Sequence, residues 1–504
     1  MTRRRAATPG ACTTVALAAL LCSGMAASSL RAQKAKPTIG APNTAAMLTA
    51  LDAKADHYAN VAQQIWGFAE VGFMEVKSTA LLQSELKTAG FTITAGVAGE
   101  PTAFVAEFGS GTPVIALLGE FDALPGLSQD ATPSRNPLIA GGPGHGCGHH
   151  LFGTASTAAA IALKSWMQAN NVKGTLRLIG TPAEEGGSGK VYMVRDGVFN
   201  DVDAVIAWHP GDENSITGER TMANISGKFH FTGISAHAAA APERGRSALD
   251  GVEVMNVMTN YLREHIPDGT RIHYVITDGG RAPNVVPDAA EVYYYVRHVD
   301  MKVVNDVWSR VVNAAKGAAM GTGTSYELQL TGSVYALLPN ETLAKVQQKM
   351  LERVGGYTMT PAERAFAEQL QKSPQFMPQP LTNTALIKPL IIGAAGSAST
   401  DVGDVSWVVP TVQLSAATWV PGTAAHSWQA VAAGGMSLGS KGMMVAAKTM
   451  ALTGAELFQS PATIATAKAE LDRRRGADFR YSTVLGTQKP QLEYRKGSVP
   501  AANK

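Results

Sequence analysis

Three short apolar runs in the chain each stop at residues able to do chemistry. "PVIALLGEFDALPG" runs into Glu120 and Asp122, "GTLRLIGTPAEEGG" into Glu184 and Glu185, and "VDAVIAWHPG" into His209. Runs of this length, lacking the alternation of a half-solvated strand, predict strands buried on both faces and hence a largely parallel α/β sheet with helices on both faces. Sites in such open sheets collect at the carboxyl ends of the strands, so three such ends predict one cleft. The Ala-rich "HHLFGTASTAAAIALKSWMQAN" is helical in pattern and sets His149 and His150 at or just before a helix N-terminus.

From about residue 225 the texture changes. A strand, a loop and a helix are followed by the strands "RIHYVITDGG" and "AEVYYYVRHVD", a helix, and the strand "SYELQLTGSVY". This βαββαβ order predicts a second, α+β domain inserted into the first. Gly-rich and apolar segments then resume and complete the first domain. The expected layout is a leader over 1–32, the main domain over 44–224 and 339–474, the insertion over 225–338, and a polar tail of little pattern over 475–504.

The leader has Arg3, Arg4 and Arg5, then an apolar run from about Val15 to Leu21, then small residues. That is the build of a secretory signal peptide, and it predicts an exported protein, periplasmic or secreted. No stretch reaches the roughly 20 continuous apolar residues of a membrane span. Cys12 and Cys22 lie in the leader, so Cys147 is the one thiol left to the mature chain. It cannot form an internal disulfide. A buried apolar role is open to it, but "GHGCGHH" surrounds it with glycines and imidazoles, a setting that suits a metal ligand better. A formal net charge of +3 over 504 residues, with no Lys/Arg cluster beyond the leader, gives no reason to expect nucleic acid.

Cys147, His149, Glu185, His209 and His426 are the candidate ligands, with Glu184 alongside. Each alone has an ordinary reading, a structural histidine or a solvated glutamate. Their joint arrival at strand ends and glycine turns favours a metal centre. The motifs "GCGHH", "TPAEEGGSGK", "AWHPG", "GISAHAAAAPERGRSALD", "APNVVPDAAEVYYYVR", "ASTDVGDVSW" and "PGTAAHSW" together resemble the amidohydrolase branch of the aminoacylase/carboxypeptidase metallopeptidase family, over roughly residues 45 to 470.

The resemblance implies two divalent ions per subunit, zinc or manganese, held by Cys147, His149, Glu185, His209 and His426, with Glu184 as general base. It implies that Asp122 and Asp401 support the ligands from behind, and that the inserted domain forms a homodimer and lends His237 across it to polarise the scissile carbonyl. Asn284 and Arg297 match positions that hold the substrate's carboxylate. The implied substrates are N-acyl amino acids, p-aminobenzoyl-glutamate or a similar aryl amide first, with other N-acyl amino acids or dipeptides as the alternative. A paralogous second subunit is a further candidate partner. One departure is His150, which stands where many relatives have Asp; it is expected as a supporting or substrate-facing group rather than a ligand.

The chemistry needs these residue types whatever the name. Amide hydrolysis requires a nucleophile stronger than water and stabilisation of an oxyanion, which a pair of divalent ions supplies, and a carboxylate to move the proton from water to the leaving amine. Other chemistries fit poorly. "EEGGSGK" lacks the first glycine of a phosphate loop, with Glu184 in its place, and Val191 follows its lysine. No G-x-S-x-G elbow follows a strand. An exported solute-binding protein would have no use for Glu184.

Overall fold

The computed structural model describes residues 44–374, 376–394, 396 and 398–497. The leader therefore lies outside the described residues. Among the described residues, eleven strands form two sheets. The larger sheet contains β1 (Thr92–Ala95), β2 (Phe104–Ser110), β3 (Val114–Gly119), β4 (Gly174–Gly180), β5 (Ala204–Gly211), β6 (Ser215–Ile216) and β11 (Thr411–Ala417). Its order is β1-β2-β4-β3-β5-β11-β6.

The four central strands β4, β3, β5 and β11 are parallel neighbours, whereas β1, β2 and β6 add antiparallel edges. All six residues of β3 are buried, as are most of β5, so both faces of the centre are covered. That is the burial predicted from the unbroken apolar runs. The helices His149–Ala169 and Ser437–Gln459, both rich in Ala, pack on each other in the main core. Small side chains let the two helices approach closely.

The second sheet is antiparallel, in the order β10-β7-β9-β8, from β7 (Ala223–Thr232), β8 (Arg271–Asp278), β9 (Ala289–His298) and β10 (Ser325–Val334). With the helices Ala248–Leu262 and Met301–Thr322 it realises the βαββαβ order and has its own core, built around Phe229, Tyr294 and Trp308. β7 begins at Ala223, two residues before the expected start of the insertion. No helix among the described residues is long and apolar enough to cross a membrane.

Candidate active site

The parallel strands deliver the site. Glu120 and Asp122 follow β3, Glu184 and Glu185 follow β4 after a three-residue turn, His209 is the sixth residue of β5, and His426 lies in the loop after β11.

Cys147 owes its place to its glycines. Gly148 has φ +76°, a left-handed conformation that favours glycine, and it packs so closely on Pro210 that a Cβ there would overlap the proline ring. This contact brings the loop onto the end of β5, where Cys147 Sγ lies 3.4 Å from His209 Nε2. The Gly146 carbonyl accepts from the His426 backbone N–H at 2.9 Å, tying the far histidine to the same loop.

Two of the imidazoles are held from behind at Nδ1. His209 Nδ1–H donates to the Pro210 carbonyl at 2.7 Å, which leaves Nε2 as a lone pair toward Cys147. His149 Nδ1 meets Asp122 Oδ1 at 2.8 Å, and the other Asp122 oxygen accepts from the Glu185 backbone N–H at 2.8 Å. One buried aspartate thus orients two candidate ligands, the arrangement that commonly stands behind metal-bound imidazoles. His426 Nε2 lies 3.3 Å from Glu185 Oε1.

Ligand-type atoms of Cys147, His149 and His209 lie within one ion's reach of each other, and so do those of Cys147, Glu185 and His426. The two triads share Cys147. A third group joins Glu120, His149 and Glu184. Glu120 Oε2 faces His149 Nε2 at 3.1 Å, and neither atom, nor Glu185 Oε1, has a hydrogen-bond partner although all are buried. A carboxylate cannot rest against an imidazole lone pair unless a proton or a cation sits between them. The two donor triads that share Cys147, with sulfur and imidazole beside a carboxylate, fit a pair of divalent cations. The sequence marks Glu120 only as the end of a strand; its part in the cluster shows only once His149 is seen beside it.

Burial and the neighbouring Glu185 carboxylate push the Cys147 thiol well above its ordinary range, and the same two causes push Glu184 up. Behind the cluster the fully buried Lys190 pairs with Glu120 at 2.7 Å and with Asp401 at 2.6 Å. Asp401 also accepts from the Lys190 backbone N–H. Asp401 thus supports the site through a lysine, and "EEGGSGK", which fails as a phosphate loop, has its lysine turned inward.

The other expected residues fall elsewhere. His150 corrects the expectation of a supporting or substrate-facing group: its Nε2 lies 3.1 Å from the Gly434 carbonyl and its ring lies against His145, so it anchors the core helix rather than the cleft. His237 is exposed on the insertion, and its Nδ1 accepts from the Ala239 and Ala240 backbone N–H groups at 3.2 and 3.1 Å, which turns Nε2 outward. None of these contacts joins it to the cluster of its own chain. Asn284 lies beside it, its carbonyl accepting from the Ala238 N–H. Arg297 lies near the other end of β9, where it donates to Ser399 Oγ at 2.9 Å. The eight steps of β9 from Ala289 to Arg297, roughly 27 Å at about 3.4 Å per residue, lie between the two. Within this one chain the two stand at different ends of β9.

A two-domain α/β fold with paired carboxylates beside a candidate cysteine–histidine cation centre is an arrangement that suits a metal-dependent hydrolase. Residues 116–379 match the peptidase family M20/M25/M40, and the chain belongs to that family. It is 44% identical over 435 residues to a p-aminobenzoyl-glutamate hydrolase subunit of Escherichia coli strain K12, covering 81% of this chain and 90% of that one. An aminobenzoyl-glutamate utilization protein from Klebsiella pneumoniae shares the fold, with a TM-score of 0.57 at 20% identity over 81% of this chain and 97% of that one. A Bacillus subtilis dinuclear metal binding peptidase also does, with a TM-score of 0.54 at 18% identity over 81% and 99%. The chain is a hydrolase acting on amides of small molecules.

Proposed function

We propose that the chain hydrolyses p-aminobenzoyl-glutamate or a closely similar aryl amide of an amino acid, as a homodimer holding two divalent cations per subunit. The observation that carries this reading is the pair of donor triads sharing Cys147, with Glu184 grouped beside them with Glu120 and His149. Substrate choice is supported by the 44% identity to the Escherichia coli hydrolase subunit.

Cys147, His149 and His209 would hold one cation, and Cys147, Glu185 and His426 the other. Bound there, the cations would polarise the amide carbonyl and lower the pKa of water toward neutrality. Glu184, half-buried among Glu120 and Glu185, is placed to take the proton from water and return it to the leaving amine. Asp122 holds the ring of His149 and the backbone of Glu185 in register. His237, exposed on the insertion, would reach the cleft of a second subunit.

The dimer reading has surface support. On the helix Ala248–Leu262, Val254, Val257, Met258 and Tyr261 are exposed at i, i+3, i+4 and i+7, a second apolar stripe opposite the buried one. Tyr274, Val275 and Ile276 are exposed on the neighbouring edge strand β8. An open edge and an apolar stripe together suit a second copy of the same surface.

The deciding assay follows release of p-aminobenzoate by the zinc- or manganese-loaded protein, against a panel of N-acyl amino acids and dipeptides. Glu184→Gln should lower turnover by at least about 100-fold while metal content stays. Near-normal turnover of that variant would remove Glu184 from the mechanism, and faster cleavage of a dipeptide would reassign the substrate.

A further inference from the structure

The segment after the helix Pro461–Arg475 reads from the sequence as a polar tail, yet it is packed along the molecule. Phe479 stacks on Trp407 with ring centroids 4.9 Å apart, and Leu485 is buried against Val191 and Tyr192. Arg195 donates to the carbonyls of Gly486 and Gln488, at 3.2 and 2.6 Å, and the Gln488 amide donates to the Leu330 carbonyl of β10. The segment is a strap that touches both sheets' surroundings and ends at the catalytic turn.

At that end the Tyr494 hydroxyl donates to the Glu185 carbonyl at 3.0 Å, and Arg495 Nη2 donates to the same oxygen at 2.5 Å. The turn they grip has little regular structure of its own. Ala183 and Ser188 are left-handed at φ +56° although neither is glycine, Gly186 has φ +88°, and Glu185 has a non-helical ψ of 66°. For the non-glycine residues Ala183 and Ser188 the left-handed region costs of order 1–3 kcal/mol each and persists only where surroundings impose it. The fit is close. A Cβ on Gly187 would press on the Tyr494 ring, and one on Gly72 would overlap its hydroxyl.

We propose that Tyr494 and Arg495 are positioning residues, which by donating together to the Glu185 carbonyl hold the 183–188 turn so that Glu184 and Glu185 enter the donor cluster. The inference rests on the roles given above to those two glutamates. It adds that the strap, far away in sequence, completes their placement.

The test is the double variant Tyr494→Phe, Arg495→Ala, which removes both donors but keeps the aromatic ring in place. Apoprotein is titrated with zinc alone, and kcat and KM are measured on the loaded enzyme. Loss of support behind a ligand typically costs roughly 10- to 100-fold in metal affinity or activity. The expected result is a zinc Kd raised about tenfold and kcat lowered about tenfold, with KM within about twofold of the parent and the thermal midpoint little changed. Arg495→Lys, keeping a cationic donor, should recover part of both losses. Unchanged Kd and kcat in the double variant overturn the proposal, as does an equal loss in Arg495→Lys and Arg495→Ala. If the double variant is unchanged while Glu184→Gln is inactive, the strap inference fails and the reading of the glutamates stands. If Glu184→Gln is itself active, that reading fails first.

Discussion

Cys147 is placed by two glycines and a proline, and its thiol, raised by burial and by Glu185, has no reason to ionise unless a cation takes the sulfur. Cys147→Ser substitutes a hydroxyl that stays protonated under the same conditions. Because both donor triads use this one atom, the variant should lose both ions together rather than one. Elemental analysis after dialysis, alongside circular dichroism, checks this; a folded variant with full metal content would return Cys147 to an ordinary core role. At this scale much of the candidate site was legible, because the candidate ligands sit where apolar runs end or where glycines interrupt them. Glu120 and Lys190 were not. Each gains its meaning from a partner dozens of residues away, Glu120 from His149 and Lys190 from Asp401, and no local pattern marks such a pair. His150 misled for the opposite reason, since its neighbours in sequence are ligands while its ring belongs to the core.

Among the elements, the short helix Val402–Ser406 carries a buried carboxyl with measurable consequences. Asp404 accepts from the Tyr481 hydroxyl at 2.8 Å and from the Tyr335 backbone N–H at 2.9 Å, yet burial pushes its pKa up to about 8 from an ordinary 3.8. Between those values the folded chain keeps a proton that the unfolded chain releases. Stability should therefore fall as pH rises from about 4 to about 8 and level off beyond. Asp404→Asn cannot ionise, so its thermal midpoint should gain on the parent's as pH goes from 5 to 8. Parallel profiles for the two proteins would show that Asp404 is already ionised in the fold. The central strands could be read from unbroken apolar runs because burial on both faces leaves no alternation to misread, and β9 of the insertion from its regular alternation of buried and less buried positions. The tail could not. Its polar side chains hold it through backbone carbonyls, as Gln488 does at Leu330, and hydrogen bonds of that kind leave no periodicity.

For the molecule as a whole, the outward Nε2 of His237 and the apolar stripe on its domain make one forecast together. Mixing inactive His237→Ala with inactive Glu184→Gln protomers should restore up to about half the activity per active pair, because one of the two sites in each heterodimer has both groups intact. Sedimentation or mass measurement must first show that the protomers exchange. Exchange without recovery would mean that His237 serves its own protomer. Reversing the stripe's character, as in Val257→Glu with Tyr261→Glu, should shift the protein to monomer and lower activity in step; an active monomer would remove the dimer from the mechanism.

The strap also bears on when the site comes into being. Tyr494 and Arg495 stand 309 and 310 positions after the carbonyl they grip, among the longest separations in the fold. Contacts so far apart in sequence are slow to form, since the intervening chain must be ordered first. A nascent chain that already holds Cys147, both glutamates and His209 has the turn but not its latch. On the strap proposal the distal end of the chain completes a turn laid down some three hundred positions earlier, and the placement of both glutamates waits on it.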